Sequence, residues 1–159
     1  MKNGYSISRR SVLAAAGAFS LLMATRAGAE ALPVVNVTKS PSCGCCGGWI
    51  AHIRAAGFPV QIVDDPDMDS VKQRLGVPAD LASCHTAEVD GYVVEGHVPA
   101  AAIRRLLTER PTATGLAAPG MPAGSPGMDF PGVEPEVFDV LLFGKTTRTF
   151  GRFRGAEEI

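Results

Sequence analysis

Apolar and polar positions along this chain repeat with two different periods, and the switches between them mark its elements. An apolar run covers Val12–Ala24, and the first short β-branched stretch after it, Leu32–Val37, has the pattern of a strand. Trp49, Ile53 and Ala56 then recur at helical spacing over Cys46–Ala56, and Gly57 stops that run. Phe58–Val63 forms a second strand, with Val60 and Ile62 on one side. Asp65 as N-cap and Pro66 in the first turn open a second helix, striped by Met68, Val71 and Leu75 and closed by Gly76. A loop from Val77 to Ser83 leads to Thr86–Val89 and Tyr92–Glu95, two strands around Asp90-Gly91, a pair suited to a tight turn with positive φ. Pro99–Glu109 gives a third helix through Ile103, Leu106 and Leu107, with Pro111 just beyond it. Residues 112–133 are rich in glycine, proline and alanine and cannot be helical. Phe138–Phe143 and Thr146–Phe153 flank Gly144-Lys145 as a closing hairpin.

Strand, helix, strand, helix, hairpin, helix is an order that resembles thioredoxin-like domains. The expected class is therefore α/β: a small mixed sheet flanked by helices, extended at the C-terminus by a loop and a β-hairpin. No internal repeat is visible.

Composition changes the picture chiefly at the N-terminus. Ser8-Arg9-Arg10-Ser-Val-Leu13 has the twin-arginine pattern, and Ala27-Gly28-Ala29 suits signal cleavage. The apolar run between them is about 13 residues, short of the roughly 20 a membrane span needs. Residues 1–29 are expected to be a cleaved, twin-arginine-type signal peptide, and residues 30–159 a single domain in the periplasm. Lys2, Arg9, Arg10 and Arg26 leave with the signal, so 11 of the 15 basic residues remain against 16 acidic ones, about −5 in net charge. That balance argues against nucleic acid or a membrane surface as partner of the mature form.

Chemistry concentrates in Cys43-Gly-Cys-Cys-Gly-Gly-Trp49, which places three of the four cysteines in four positions just before a helix. A thiol there is stabilised as thiolate by free N–H groups and the helix dipole. Cys43 and Cys46 form a C-x-x-C pair with redox capacity; Cys45 adds a third thiol, of little use for disulfide exchange and of much use to a thiophilic metal. One disulfide plus a spare thiol is the alternative for the cluster, and a small buried apolar residue the alternative for Cys84. Thioredoxin-like folds usually place a cis-proline before the third strand, which excludes metals; here Ser83-Cys84-His85-Thr86 stands in that place. His85 adjoins Cys84 and is the stronger candidate ligand. His97, in the loop after the hairpin, is a ligand or a satisfied surface histidine, and His52 is expected to face solvent. Met121 and Met128, in flexible Pro-Gly-Met segments, either lay thioethers over the thiols or anchor their loop.

Thiolate and thioether together select soft ions. Zinc is content with cysteine and histidine but has no use for methionine, and the cysteine spacing fits neither common ferredoxin pattern. Copper is the expected metal, as Cu(I).

Cys43-Gly-Cys-Cys-Gly-Gly-Trp49, Ser83-Cys84-His85-Thr86, Asp90-Gly-Tyr-Val-Val-Glu-Gly-His-Val-Pro-Ala100 and Gly120-Met-Pro-Ala-Gly-Ser-Pro-Gly-Met128 resemble the CopG-type periplasmic copper-resistance family over nearly all of the mature chain. The resemblance implies a thioredoxin-like fold, a multinuclear copper site held by Cys43, Cys45, Cys46 and Cys84, and a role in copper redox during copper tolerance. It implies His85, His97, Met121 and Met128 as outer ligands. Two further readings stay open: a periplasmic copper buffer or carrier that hands Cu(I) to an exporter, and a thiol–disulfide oxidoreductase. A periplasmic redox partner goes with the copper-redox reading.

Overall fold

The computed structural model describes Met1 and residues 31–159, so the signal segment expected over residues 1–29 lies, apart from Met1, outside the described residues. Eight strands form one sheet: β1 (Val35–Lys39), β2 (Val60–Asp64), β3 (His85–Val89), β4 (Tyr92–Gly96), β5 (Gly115–Ala118), β6 (Val137–Phe143), β7 (Arg148–Arg154) and β8 (Glu157–Glu158). Their order is β2-β1-β3-β4-β5-β6-β7-β8. Among the described residues three α-helices accompany it, α1 (Cys46–Ala55), α2 (Met68–Arg74) and α3 (Ala100–Glu109). The run from β1 to α3 follows the expected thioredoxin-like order, with β1 parallel to β2 and antiparallel to β3, and β3 antiparallel to β4.

Sheet pleating divides the core in two. Val94, Leu116 and Leu142 pack with Trp49, Ile50 and Ile53 of α1 and Ala102, Ile103 and Leu106 of α3. Their immediate neighbours Val93, Ala117 and Phe143 instead join Val77 and Leu81, as the alternation of side chains across a strand requires. Asp90 and Gly91 both have positive φ, 47° and 86°, the geometry anticipated from the Asp-Gly pair.

Three features depart from the sequence reading. The N-cap of α2 is Asp67, whose carboxylate accepts the Ser70 N–H, while Asp65 bonds to the Asp67 N–H one step earlier. Strand β2 lies at the sheet edge with Ile62 and Val63 exposed. Finally, the glycine-rich stretch contains β5, which pairs parallel with β4 and antiparallel with β6 and so joins the closing hairpin to the main sheet. Gly115 is required there, because a Cβ would strike the Val93 backbone.

The register explains why distant cysteines meet. Lys39 at the end of β1 pairs with His85 at the start of β3, Thr86 pairs with Glu95, and Gly96 at the end of β4 pairs with Ala118 at the end of β5. The loop to Cys43, the residue Cys84, the loop with His97 and the segment after Ala118 therefore all gather at one end of the sheet.

Candidate metal centre

At that sheet end, Cys43, Cys45, Cys46 and Cys84 bring their sulfurs within 4.8 Å of one another, and Cys84 forms a second group of the same tightness with His85 and His97. Cys84 belongs to both. Its Sγ lies 3.5 Å from Cys45 Sγ, 3.1 Å from His97 Nε2 and 3.4 Å from His85 Nδ1. Cys43 and Cys46 are joined in a disulfide with their Cα atoms 5.7 Å apart, while Cys45 and Cys84 are free. Cys45 Sγ stands 3.8 Å from Cys43 Sγ, so a free thiol adjoins the bridge.

The helix that carries the motif is anchored from within. Trp49 is fully buried, and its indole N–H donates to the Val98 carbonyl at 2.9 Å, tying α1 to the residue after His97. The Trp49 ring lies 4.4 Å from the His85 ring, which lies 5.1 Å from that of His97. On the outer side the chain from Pro122 to Met128 folds over α1. Ser125 N–H and Oγ both donate to the Pro122 carbonyl, and Met128 N–H donates to Ser125. Gly127 and Gly48 touch backbone to backbone, so that a Cβ on Gly48 would lie 2.8 Å from Gly127 Cα.

That loop also sets the chemistry of His97. Its Nδ1 is 2.8 Å from the Pro126 carbonyl, which can only accept, so Nδ1 carries the proton and Nε2 presents a lone pair toward Cys84. Burial lowers the His97 pKa, partly opposed by this hydrogen bond. His85 is driven down to about 3, first by burial and then by the charges of His97 and Lys72, and its Nε2 meets no hydrogen-bond partner of ordinary geometry. The Cys84 thiol is pushed up to about 12 by burial and by its hydrogen bond and charge interaction with Cys45. Two imidazoles that turn His85 Nδ1 and His97 Nε2 toward Cys84, beside three further sulfurs, suit a soft cation, which would displace the thiol protons on binding.

The structure thus gathers Cys43, Cys45, Cys46, Cys84, His85 and His97. Met121 and Met128 stand on the covering loop, the first 43% exposed at a φ of 49°, the second half-buried. His52 is a correction. It is half-buried rather than solvent-facing, and its Nε2 accepts the Ala100 N–H at 3.1 Å, supplying α3 with the cap that Pro99 lacks. Sequence reasoning also passed over Lys72, Thr86 and Glu95, buried polar residues behind Cys84. A lysine within the α2 helix and a glutamate in an apolar strand were their only signals.

Fold and site together define a mixed α/β protein in which the cysteine loop and, at the same sheet end, Cys84, His85 and His97 form a group suited to a soft metal. Residues 81–128 match the family described as "Protein of unknown function, DUF411", a span that includes Cys84, His85, His97, Met121 and Met128. Two solved structures named copper resistance protein copG, form 1 and form 2, are each 41% identical to this chain with a TM-score of 0.72. The matches cover 78% and 77% of this chain and 99% and 98% of theirs. Comparison with curated protein sequences finds no match. At that identity and coverage, the chain belongs to the CopG copper-resistance family.

Proposed function

We propose that this chain is a periplasmic copper-binding protein of copper tolerance, exported behind the twin-arginine-type segment of residues 1–29. It holds Cu(I) in a multinuclear site and interconverts Cu(I) and Cu(II). The observation that carries the reading is the sharing of Cys84 between a group of four sulfurs and a group of one sulfur and two imidazoles. Thiolates this close bridge soft ions, and the shared sulfur makes the two groups neighbours rather than separate sites. His85 and His97 complete the set with nitrogen, and Met121 and Met128 are its proposed thioether ligands.

Cys43 and Cys46 carry the redox step. Their two thiols would give one electron to each of two Cu(II) ions, leaving two Cu(I), the disulfide and two protons. A two-electron reductant, the proposed periplasmic redox partner, restores the thiols. In the disulfide form these two sulfurs cannot serve as thiolate ligands, so bridge and full metal site exclude one another. The family relationship supports the copper assignment, since the names of both solved relatives specify copper resistance.

The disulfide favours one rival, a thiol–disulfide oxidoreductase that works without metal. The test is elemental analysis and Cu(I) titration of the reduced protein, followed by exposure to air and re-reduction. More than one copper per chain, changing oxidation state reversibly while bound, is the expected result. Cu(I) held inert would make the protein a buffer or a carrier to an exporter. Disulfide exchange by metal-free protein that copper abolishes would establish the rival. Cys45→Ser is expected to lower the copper stoichiometry while leaving the Cys43–Cys46 bridge, and unchanged stoichiometry refutes the multinuclear site.

A further inference from the structure

Behind Cys84 lies a charged cluster that the copper chemistry does not use. Glu95 on β4 is fully buried, and Lys72 on α2 is 7% exposed. Lys72 Nζ donates to Glu95 Oε1 at 2.6 Å and to Thr86 Oγ1 at 3.0 Å. The Ser83 backbone N–H also donates to Glu95 Oε1, at 2.6 Å, and the Thr86 hydroxyl donates to Oε2 at 2.7 Å. One carboxylate therefore holds residues 83 and 86, the two residues that flank Cys84 and His85. The same glutamate stands two residues before His97. Between them Gly96, at a φ of 73°, presses its backbone against Ser83, since a Cβ there would lie 2.7 Å from Ser83 Cβ and Oγ.

A buried ion pair is costly to desolvate and is weak support for stability by itself. Apolar side chains of similar volume would fill this space between α2 and the β3–β4 hairpin at no such cost. What they could not do is accept from Ser83 and Thr86 at once. A carboxylate receiving three donors has its oxygens fixed in direction, and the geometry of the bracketed segment follows from it.

We propose that Glu95 is the positioning residue of the metal centre. Its carboxylate, balanced by Lys72, clamps Ser83 and Thr86 and so fixes Cys84 and His85 against His97 and Cys45. It touches no candidate ligand atom and acts through the backbone. Partners of this kind that orient metal ligands typically change affinity by about 10–100-fold when removed.

Two variants of the full chain separate geometry from charge. Lys72→Met with Thr86→Val and Glu95→Met replaces the cluster by apolar volume and abolishes the clamp. Lys72→Met with Glu95→Gln removes both charges yet keeps an amide able to accept from Ser83 and to bond Thr86. The readouts are Cu(I) affinity, by competition with a chromophoric chelator, and the alkylation rate of Cys84 in reduced, metal-free protein, by peptide mass mapping. The apolar variant is expected to bind Cu(I) about 10–100-fold more weakly and to expose Cys84 to faster alkylation, while the amide variant stays near the parent in both. Parental affinity and alkylation rate in the apolar variant overturn the inference. So does an amide variant as impaired as the apolar one, because charge would then be what matters. If the apolar variant does not fold, Thr86→Val alone removes one arm of the clamp, and parental affinity and alkylation rate there are equally fatal. The inference rests on the metal-binding reading for its first readout only. A parent that binds no Cu(I) sinks that reading, while the Cys84 alkylation rates still decide the clamp.

Discussion

Gly47 and Gly48 are adjacent in the first turn of α1, and replacing each by alanine separates helix propensity from loop contact. Alanine is the better helix former at both positions, by about 0.5–1 kcal/mol in a helix interior. Around Gly47 a Cβ meets nothing within 4 Å, so Gly47→Ala is expected to be neutral or to stabilise by up to about 1 kcal/mol. A Cβ on Gly48 would stand 2.8 Å from Gly127 Cα and 3.3 Å from Gly127 O. Both are backbone atoms, with no flexible side-chain end to swing away. Reaching ordinary carbon–carbon contact near 3.5 Å means opening the loop by about 0.7 Å. Overpacking of this kind costs about 1–3 kcal/mol, enough to outweigh the propensity gain and reverse the sign.

The displacement also has a chemical consequence. Pro126 precedes Gly127 and accepts from His97 Nδ1 at 2.8 Å, so the same shift would stretch that contact to about 3.5 Å, the limit of a hydrogen bond. His97 then loses what fixes its tautomer and ring direction. Urea unfolding of the metal-free protein should rank Gly47→Ala at or above the parent and Gly48→Ala about 1–2 kcal/mol below it. Cu(I) competition should weaken about 10-fold or more in Gly48→Ala alone. Equal stabilities for the two variants would refute the close approach of loop and helix, and parental copper affinity in a destabilised Gly48→Ala would refute the role given to the Pro126 contact.

Three further outcomes follow from buried partners. Burial lowers the His52 pKa, against a smaller upward pull from Asp129, so the unfolded chain takes up that proton first as pH falls. Its contribution is complete above about pH 6.5 and declines below it; His52→Gln should give a shallower loss of stability from pH 7.5 to 5.5, and identical slopes by denaturant titration refute the cap. Lys72→Met alone leaves the Glu95 carboxylate buried and unpaired, and chemical unfolding should show a loss of about 3–5 kcal/mol, where under 1 kcal/mol would refute the ion pair. Trp49→Phe orphans the Val98 carbonyl and should cost about 2 kcal/mol by the same measurement, with less than about 0.5 kcal/mol counting against the indole bond.

What could be read from the chain alone was what depends on local pattern. Trp49 and Ile53, Leu106 and Ile103, and the Asp90-Gly91 turn state their elements through spacing and backbone demand, and the crowding of Cys43, Cys45 and Cys46 announces its chemistry. Strand β5 could not be read this way. Gly115-Leu-Ala-Ala118 has neither alternation nor strong strand residues, and it is a strand because β4 and β6 pair with it on both sides, with Gly115 where a Cβ would strike the Val93 backbone.

The same distinction runs through the site itself. Cys84 and His85 are conspicuous as residue types, whereas what orients them is a carbonyl of Pro126, an N–H of Ser83 and a carboxylate ten residues further along. Backbone groups have no letter in a sequence, and Glu95 between Val94 and Gly96 looks like an outward-facing strand residue until β3 brings Thr86 opposite it. His52 is inconspicuous for the matching reason: its partner is the first N–H of a helix 48 residues away. A ligand set can thus be nominated from side chains, but its geometry belongs to pairings that exist only once the sheet has formed, and substitutions at Gly48, Thr86 or Glu95 that break those pairings should disturb copper binding without touching a single sulfur.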